Sequence, residues 1–464
     1  MQKLSIRITL FISIIMLIRL ASLQLYPLMD TTEARYGEMA RLMVETNNWI
    51  TPLFNYDVPF WGKPPMQTWV SALSGKMLGI NEFSLRLPHF ISGMLTLVIV
   101  GYFADRKRMS PLLSVLILLT CTGFYIASGT IMTDSLLTLS MTLSMFGFYV
   151  GWQSHSKKHA YLGFIGIGLG LLIKGPLIIV LIGLSILPWI IINYGIVEGA
   201  KQFWLRIPIV SGLLLSLMIA GPWYVIAEHT TPGFLHYFLV GEHWSRFTVS
   251  GWNGDLYGNA HDEPRGMIWL FWLYTAFPWS LVLLYRLIKR SNQKMLFANS
   301  ESKSWHTFLI CWLVSPMLLF TLSGNILPMY VLPGLPAMAL LLASGKQSLS
   351  RSEIIISCFV PVAVIGLLVF GKPIFEAKSD VGLIEATNKK FPIYYLDKYS
   401  FSGRFYTQGQ AKIWTEENQP TTAPFYIVTA NNQIKNNMKI LNDCRFEAKN
   451  KKRSLYFCSN SHNE

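Results

Sequence analysis

Charged residues are scarce in this sequence, and acidic residues are scarcer than basic ones. Only 14% of the 464 residues are charged, with 25 Asp and Glu against 39 Lys and Arg. Hydrophobic residues make up 52% of the chain, and the mean hydropathy is +0.38. A chain with so few charges and so many long apolar runs cannot fold mainly as soluble domains. The composition therefore predicts a polytopic membrane protein.

The formal net charge of +14 would suit a nucleic-acid-binding protein if the chain were soluble. Membrane topology explains this charge better, because the short cytoplasmic loops of membrane proteins are enriched in Lys and Arg. We therefore predict that nucleic acid is not a partner.

Long apolar runs predict about eleven membrane spans when roughly 20 residues are allowed for each crossing. The first run lacks a clear small-residue cleavage site, so we interpret it as a retained helix and not as a removed signal peptide. The sequence Lys174-Gly175-Pro176 could form either a tight turn or a kink inside one long helix. The predicted spans lie near 6–25, 83–103, 111–128, 134–152, 160–173, 176–194, 208–226, 266–286, 305–322, 327–344 and 353–371.

With a cytoplasmic N-terminus, alternate loops between these spans carry clusters of basic residues, as the positive-inside rule requires. These clusters are Arg106-Lys107-Arg108, Lys157-Lys158, Lys201 with Arg206, the segment 286–303, and Lys346 with Arg351. The remaining loops hold nearly every unusual polar motif, and an odd number of spans places the tail after the last span with them. The sequence therefore predicts that the functional residues share the outer face of the membrane.

The first outer loop contains two predicted amphipathic helices with a stiff segment between them. Asp30 and Glu33 begin a run whose apolar residues, from Tyr36 to Met43, fall on one helical face. The two carboxylates could act in catalysis, or they could form an N-cap and its capping-box partner. Lys63 precedes two prolines that keep the backbone extended, so it is either presented to a ligand or snorkels toward water. The second amphipathic helix is predicted over 65–78.

In their order and shared outer location, the polar motifs resemble those of the GT-C membrane glycosyltransferases. The resemblance is closest to the lipid A aminoarabinose transferases and more distant to the protein O-mannosyltransferases of glycosyltransferase family 39. It covers nearly all of the predicted membrane part. The motifs are Asp30-x-x-Glu33-Ala34-Arg35-Tyr36-x-Glu38-x-Ala40-Arg41, Trp49-Ile50-x-Pro52, Lys63-Pro64-Pro65, Thr133-Asp134, Lys174-Gly175-Pro176, Glu242-His243-x-x-Arg246-Phe247, Phe277-Pro278-Trp279 and Leu327-Pro328-x-Tyr330-x-Leu332-Pro333.

The resemblance implies a mainly α-helical GT-C domain with interfacial helices in its outer loops. It also implies an inverting glycosyltransferase of the bacterial inner membrane with its active site on the periplasmic side. Such an enzyme takes a sugar from an undecaprenyl-phosphate donor and moves it to an outer-leaflet acceptor. Lipid A is the leading acceptor, and an amino sugar such as aminoarabinose or galactosamine is the leading group transferred. A different surface glycan or a protein acceptor is the alternative.

By the same resemblance, Lys63 and Arg246 would clamp the donor phosphate, and Tyr330 would donate a hydrogen bond to it. Cations fixed by the scaffold lower the barrier, because the departing phosphate gathers negative charge in the transition state. Lys supplies a point charge, whereas Arg can engage phosphate in a bidentate manner. Arg35 is the fourth residue that we place in this phosphate-binding group.

Asp30, Asp134 and Glu33 are the candidate catalytic carboxylates. One of them could act as a general base if the acceptor is a hydroxyl; with a phosphate acceptor, they would orient an amino sugar or stabilise oxocarbenium charge. Asp134 could instead only cap its helix. The remaining candidates, which would contact the sugar or the acceptor, are Tyr36, Glu242, His243 and Lys174.

A metal site is the alternative reading of Glu242, His243 and His261, because imidazole and carboxylate groups suit a divalent ion. Their spacing matches no closed zinc pattern. Gly62 also stands where close relatives of the resembled family often place a glutamate before the lysine. We therefore assign no metal ligands and no certain cofactor, and a divalent cation in the outer loops is left as the alternative.

Residues 372–464 differ in composition from the membrane part, 1–371, because Lys, Asn, Asp and Thr become more frequent. Segments near 392–396, 424–429 and 454–458 carry β-branched and aromatic residues, which indicate strands. We predict a small soluble domain, α/β or mostly β, with no catalytic constellation. Cys444 and Cys458 flank a predicted hairpin turn and should form a disulfide in an oxidising compartment. The other cysteines, Cys121, Cys311 and Cys358, fall in predicted spans and are interpreted as packing residues.

The main competing class is a transporter or flippase for a lipid-linked sugar. Transporters typically show repeated halves, broken helices and charges near the middle of the membrane. This sequence has no internal repeat that we can detect, and its polar motifs gather at one face. A purely structural membrane subunit would not need the Lys-Pro-Pro and Glu-His-x-x-Arg-Phe motifs. The sequence therefore favours an enzyme.

Overall fold

A computed structural model describes residues 2–258, 261–289, 300–344, 350–415, 418–420 and 423–459. Two of the predicted basic clusters, the segment 286–303 and the one at Lys346, fall partly outside these residues. The helices are α1 (Gln2–Ser22), α2 (Thr32–Thr46), α3 (Met66–Leu78), α4 (Glu82–Arg106), α5 (Pro111–Leu119), α6 (Thr122–Ala127), α7 (Thr133–Ser154), α8 (Lys157–Lys174), α9 (Leu177–Tyr194), α10 (Ile196–Arg206), α11 (Ile209–Thr230), α12 (Phe234–His236), α13 (Arg246–Thr248), α14 (Met267–Thr275), α15 (Trp279–Lys289), α16 (Ser300–Thr321), α17 (Leu335–Ala343), α18 (Arg351–Phe370), α19 (Lys372–Glu376), α20 (Val381–Glu385), α21 (Phe401–Tyr406) and α22 (Met438–Leu441). A π-helix, Tyr237–Ser245, joins α12 to α13, and a 3-10 helix, Pro328–Gly334, leads into α17.

Long apolar helices dominate the membrane part. By length and composition, six helices within the described ranges could cross a membrane: α4, α7, α9, α11, the Lys303–Thr321 part of α16, and α18. The pair α14 and α15, bent by 109°, would make a seventh if it forms one span. Each predicted span coincides with one helix or with consecutive shorter helices. The protein is therefore a multi-pass membrane protein, and the count of about eleven spans stays a prediction.

The boundary between α8 and α9 shows whether Lys174-Gly175-Pro176 forms a turn or a kink. Gly175 has φ +70, a backbone conformation that favours glycine, and a Cβ there would lie 2.6 Å from the Phe238 ring. Trp152, near the end of α7, donates a hydrogen bond of 3.2 Å to the Tyr194 hydroxyl at the end of α9. Helix α9 therefore runs back along α8, and the Lys-Gly-Pro sequence forms a turn and not a kink.

Helix α7 is the most enclosed of the candidate spans, with 89% of its apolar window buried. Small residues allow its neighbour α8 to approach closely, as is usual for packed helices in membranes. A Cβ added to Gly147 would lie 2.4 Å from the backbone nitrogen of Gly163. Ser144 on α7 donates a hydrogen bond of 2.9 Å to the carbonyl of Gly163. This tight packing fixes the start of α7, which carries Asp134.

Both amphipathic helices predicted in the first outer loop are present, as α2 and α3. Helix α2 buries the predicted apolar face from Tyr36 to Met43. The alternative in which Asp30 and Glu33 form an N-cap and its capping-box partner does not occur, because Thr31 occupies the N-cap position and no side chain caps the helix there. A short antiparallel hairpin of β1 (Leu53–Asn55) and β2 (Val58–Pro59) leads from α2 toward Lys63.

The C-terminal region forms a small α/β domain, as the sequence predicted. Its strands are β3 (Ile393–Tyr395), β4 (Lys412–Ile413), β5 (Phe425–Ala430), β6 (Cys444–Lys449) and β7 (Arg453–Cys458). They form a five-stranded sheet in the order β4-β3-β5-β7-β6, in which β3 is parallel to β4 and β5. Cys444 and Cys458 lie opposite each other across the β6–β7 hairpin. They form a disulfide with a Cα–Cα distance of 4.2 Å, which confirms the predicted pairing.

This domain docks onto the first outer loop through α21. The Ser402 backbone and hydroxyl both donate hydrogen bonds to the Asp30 carboxylate. The Tyr406 hydroxyl donates to Glu82 over 2.7 Å and accepts from the backbone nitrogen of Leu28 over 2.8 Å. The predicted regions 1–371 and 372–464 therefore share a polar interface that the composition did not reveal.

Candidate functional site

A cavity of about 1290 Å³ lies between the C-terminal domain and segments of the membrane part that include the starts of α2 and α7 and the end of α8. Its walls carry six Lys or Arg and three Asp or Glu side chains: Arg35, Lys63, Lys174, Arg246, Lys398 and Arg404, with Asp134, Glu242 and Asp255. An excess of cationic groups around a concave site attracts anionic ligands. The volume exceeds the roughly 300–1,000 Å³ of a typical small-molecule site, so the cavity has room for parts of two substrates.

Glu242 organises two cations at one wall of this cavity. The Lys63 ammonium lies 2.8 Å from Glu242 Oε2. Arg246, one helical turn further along, places Nη1 3.2 Å from both Glu242 oxygens and 3.3 Å from Asp255 Oδ2. Burial alone raises the pKa of Glu242, but the charges of Lys63 and Arg246 outweigh burial, and the net pKa is below its ordinary value. Glu242 is therefore ionised at neutral pH and holds both cations at the cavity wall.

The backbone before Lys63 is held in place by Tyr257. The Tyr257 hydroxyl donates a hydrogen bond of 2.9 Å to the Pro59 carbonyl and accepts one of 3.0 Å from the Trp61 backbone nitrogen. Its ring centroid lies 4.6 Å from that of Phe60. Lys63 also donates to its neighbouring Gly62 carbonyl over 2.5 Å. The lysine is thus positioned by the scaffold, and the snorkelling alternative does not describe it.

Asp134 and Lys174 form a second ion pair in the same cavity. Lys174 Nζ lies 2.7 Å from Asp134 Oδ1, and the two side chains are only 7% and 11% exposed. The ammonium also lies 4.4 Å from the centroid of the Tyr330 ring, in cation–π contact. Asp134 does not cap α7, because the N-cap residue is Met132 and no side chain caps that helix end. The pair joins the start of α7 to the end of α8.

Arg35 and Tyr36, from the first turn of α2, also line the cavity. Arg35 Nη1 donates a hydrogen bond of 2.9 Å to the Tyr257 carbonyl. Its guanidinium lies 5.2 Å from the Tyr36 ring centroid and 5.8 Å from that of Phe60. Among the predicted site residues, the cavity therefore gathers Arg35, Tyr36, Lys63, Asp134, Lys174, Glu242, Arg246 and Tyr330.

Asp30 and Glu33, two of the three predicted catalytic carboxylates, lie outside this cavity. Asp30 faces a separate cavity of about 110 Å³ at the junction with the C-terminal domain, where burial raises its pKa. Glu33 binds Arg86 through both oxygens, at 2.8 and 2.9 Å. Neither side chain is placed beside the Lys63 or Asp134 clusters.

His243 also lies outside the cavity. Its Nδ1 is 2.8 Å from the Phe238 carbonyl and its Nε2 is 3.2 Å from the Lys174 carbonyl. The ring thus links the π-helix to the end of α8. Burial lowers its pKa, which favours the neutral imidazole, so only one of the two nitrogens donates a hydrogen bond to its carbonyl. Within the described part of the chain, no group of three or more His, Cys, Asp or Glu residues is arranged to hold a metal ion.

Sequence reasoning missed several residues of the cavity. Asp255 stands close after the Glu242 motif in the same loop, and this proximity was a usable signal. The C-terminal domain gave no such signal, because its contribution depends on docking. That contribution consists of Lys398, Tyr399, Phe401, Arg404 and Ile413.

Residues 4–238 match the family model described as Dolichyl-phosphate-mannose-protein mannosyltransferase. An undecaprenyl phosphate-alpha-4-amino-4-deoxy-L-arabinose arabinosyl transferase from Erwinia tasmaniensis is 29% identical over 375 residues, which are 76% of this chain and 63% of that protein. The protein of the same name from an Enterobacter species is 30% identical over 349 residues, or 72% of this chain and 58% of the relative. The chain thus spans less than two thirds of the length of these relatives.

A crystal structure of ArnT from Cupriavidus metallidurans, bound to undecaprenyl phosphate, has a TM-score of 0.80 to this chain. The sequences are 16% identical, and the match covers 97% of both chains. The structure of the same protein in the apo state has a TM-score of 0.77. These matches show a shared fold and confirm the GT-C class expected from the motifs. Because the matched family model covers half of the chain, this protein belongs to the dolichyl-phosphate-mannose-protein mannosyltransferase family.

Proposed function

We propose that this protein transfers a sugar, in our view an amino sugar, from an undecaprenyl-phosphate donor to lipid A. The observation that carries the proposal is the pair of cations, Lys63 and Arg246, held by the buried Glu242 at the wall of a large cavity. The names of the curated relatives, which are undecaprenyl phosphate-aminoarabinose transferases, support the choice of donor and sugar.

The donor phosphate binds between Lys63 and Arg246. Their side chains are 20% and 17% exposed, respectively, so each can reach a ligand while keeping its contact with Glu242. The departing phosphate gains negative charge, and cations that are already in position stabilise this charge without reorganisation. Tyr330 donates a hydrogen bond to the same phosphate, and Arg35 adds a further positive charge.

Asp134, which is paired with Lys174 in the same cavity, acts on the sugar or the acceptor. With an amino sugar, its carboxylate orients the ammonium group; with a hydroxyl acceptor, it takes the proton. The Lys174 ammonium, 2.7 Å from Oδ1, fixes the direction of this carboxylate. A phosphate acceptor needs no base, because it is already anionic. Tyr36 contributes a ring and a hydroxyl to the sugar site.

The transfer is a single displacement at the anomeric carbon. An acceptor oxygen forms the new bond while the bond to the donor phosphate oxygen breaks and its electron pair stays on undecaprenyl phosphate. The anomeric configuration inverts, because the two oxygens lie on opposite faces of the sugar. Asp30 and Glu33 support this reaction only indirectly, by holding the outer loop in place.

The cavity and the C-terminal domain lie on the periplasmic side of the inner membrane in this proposal. The positive-inside pattern of the loops supports this orientation. A cysteine introduced at the exposed Asn418 should react with a membrane-impermeant maleimide in cells with an intact inner membrane. Reaction only after the inner membrane is breached would contradict this orientation.

Purified protein in detergent tests the activity directly. Incubation with radiolabelled undecaprenyl-phosphate aminoarabinose and lipid A should give labelled lipid A, although no second compartment is present. A flippase would give no labelled product in this assay. Label recovered in a peptide acceptor and not in lipid A would replace the proposal with protein glycosylation.

A further inference from the structure

We propose that the C-terminal domain forms the acceptor side of the cavity and that Lys398 recognises a phosphate group on the acceptor. This inference rests on the proposed function and adds an acceptor-specific residue to it. Sequence reasoning found no functional constellation in this domain. The structure nevertheless brings its residues Lys398, Tyr399, Phe401, Arg404 and Ile413 to the cavity wall.

The segment from Ser400 to Tyr406 is anchored to its surroundings at every second residue. Ser400 binds Asp380 and caps α21 by accepting from Gly403 over 2.8 Å. Ser402 binds Asp30, and Tyr406 binds Glu82. These bonds hold the preceding residues, 398 and 399, at the edge of the cavity.

Arg404 adds a buried electrostatic anchor to this segment. Its Nη2 lies 3.3 Å from Glu38 on α2, and its Nη1 donates to the Phe54 carbonyl over 3.3 Å. The Phe401 ring packs edge-on against Phe54 with a centroid distance of 5.3 Å. The two contacts with Phe54 join the C-terminal domain to the hairpin that leads to Lys63, and the contact with Glu38 joins it to α2. The domain is therefore a fixed wall of the cavity.

Lys398 differs from the other cations that line the cavity. Lys63, Lys174, Arg246 and Arg404 each lie within 4.0 Å of a carboxylate. Lys398 is exposed, and no carboxylate among the described residues pairs with it. Its backbone carbonyl accepts from Arg453 over 3.5 Å, which fixes the residue without neutralising its charge.

Arg35, the remaining cation of the cavity, is assigned to the donor phosphate and is held by contacts with the cavity wall. It donates to the Tyr257 carbonyl and packs between the Tyr36 and Phe60 rings. Lys398 is thus the cation best placed to meet an incoming anion. An ammonium without a neutralising partner forms a charge-assisted hydrogen bond with a phosphate oxygen.

The location of Lys398 distinguishes the acceptor from the donor. The donor carries one phosphate, which Lys63 and Arg246 bind, and its polyprenyl chain lies in the membrane. Lys398 belongs to the C-terminal domain, which follows the last candidate span, and not to the membrane helices. A phosphate that reaches it belongs to a molecule whose polar headgroup projects out of the membrane, as a phosphorylated lipid acceptor does.

Steady-state transfer with Lys398 variants tests the inference. With saturating donor, Lys398→Ala should raise the KM for lipid A roughly 10-fold, because one charge-assisted hydrogen bond is lost. Lys398→Glu should raise it further, and Lys398→Arg should restore it. The donor KM and kcat should stay unchanged. Lys390→Ala, an exposed lysine of the same domain outside the cavity, is the matched control.

An unchanged lipid A KM in Lys398→Glu would overturn the inference, and so would an equal rise in the donor KM. A binding measurement separates this failure from that of the proposed function. Wild-type protein in detergent should bind bis-phosphorylated lipid A more tightly than dephosphorylated lipid A, and Lys398→Glu should lose this preference. If the preference behaves in this way but no transfer occurs, the proposed function fails and the inference stands. If transfer occurs and the preference survives in Lys398→Glu, only the inference fails.

Discussion

The carboxylates of the first outer loop and those of the later outer segments use their charges in different ways. Glu33 faces a fully buried arginine, Arg86, and Asp30 faces the C-terminal domain. Asp134 and Glu242 instead face lysines that line the cavity themselves. The first group joins parts of the scaffold to one another, whereas the second group holds cations where a ligand can reach them.

A motif that stands out in the sequence, such as the one around Asp30 and Glu33, can therefore have a structural role. A buried ion pair contributes little net stability but is costly to break, because the remaining charge has no partner. A pair at a cavity wall can share its cation with an anionic ligand. The partner of each carboxylate, and the surroundings of that partner, therefore distinguish a structural group from a functional one.

The largest expected effect is a loss of stability when Glu33, a carboxylate of the first group, is removed. Glu33→Ala leaves Arg86 buried without its counter-ion and should lower the free energy of unfolding by about 3–5 kcal/mol. Thermal unfolding of the purified protein in detergent would measure the loss. Glu45→Ala on the same helix removes a half-exposed pair with Arg41 and should cost only about 0–1 kcal/mol. Equal losses in the two variants would contradict the scaffold role of Glu33.

The next largest effect is a loss of transfer activity when Lys63, the partner of Glu242 in the second group, is removed. Lys63→Ala should lower kcat by two to three decades, or about 2.7–4 kcal/mol, because one preorganised contact to the departing phosphate is lost. The unfolding temperature should change little, since Arg246 still pairs with the buried Glu242 carboxylate. Activity near that of the wild type at matched expression would remove Lys63 from the phosphate clamp.

A pair of isosteric variants compares the two groups directly. Asp134→Asn should lower kcat/KM by roughly 10- to 100-fold, because a charge-assisted interaction is lost in the cavity. Asp30→Asn should leave kcat/KM almost unchanged, because Asp30 lies outside the cavity. Initial rates with the same donor and acceptor would measure both. The reverse ranking would place the catalytic carboxylate in the first outer loop.

The smallest effect concerns pH and Asp30. Burial is the main reason that the pKa of Asp30 is raised, and repulsion from Asp380 adds to it. The folded protein therefore binds this proton more tightly than the unfolded chain, in which the pKa is about 3.9. Stability from this group is present at low pH and is lost as the pH rises from that value through the raised pKa.

Unfolding temperatures of the wild type and of Asp30→Asn, measured across this pH range, would test this. The wild type should lose stability relative to the variant as the pH rises, and the difference should level off above the raised pKa. A difference that grows in favour of the wild type as the pH rises would show that the Asp30 carboxylate is stabilised in its charged form.

Much of the fold could be predicted from local patterns. The apolar face of α2 has helical spacing, the proline pair stiffens the backbone after Lys63, and the two cysteines flank a turn of hairpin length. Each of these features depends on residues that are near one another in the sequence. The helices at the predicted spans, the two amphipathic helices and the Cys444–Cys458 disulfide were therefore accessible to sequence analysis.

The parts of the site that were not predicted depend on long-range docking. Asp30 meets Ser402, which is 372 residues away along the chain, and Lys398 reaches the cavity only because α21 packs on α2. No pattern near Asp30 or Lys398 encodes these contacts. The motif around Asp30 therefore suggested catalysis, whereas the cavity wall in the C-terminal domain went unnoticed.

Mass spectrometry of lipid A tests the central claim, transfer to lipid A from the Lys63 cavity, most directly. Lipid A would be extracted from cells that lack this protein, express the wild type, or express Lys63→Ala at the same level. The account predicts an increment of pentosamine or hexosamine size only with the wild type. The same increment in all three samples, or in none of them while purified protein is folded and donor is present, would contradict it.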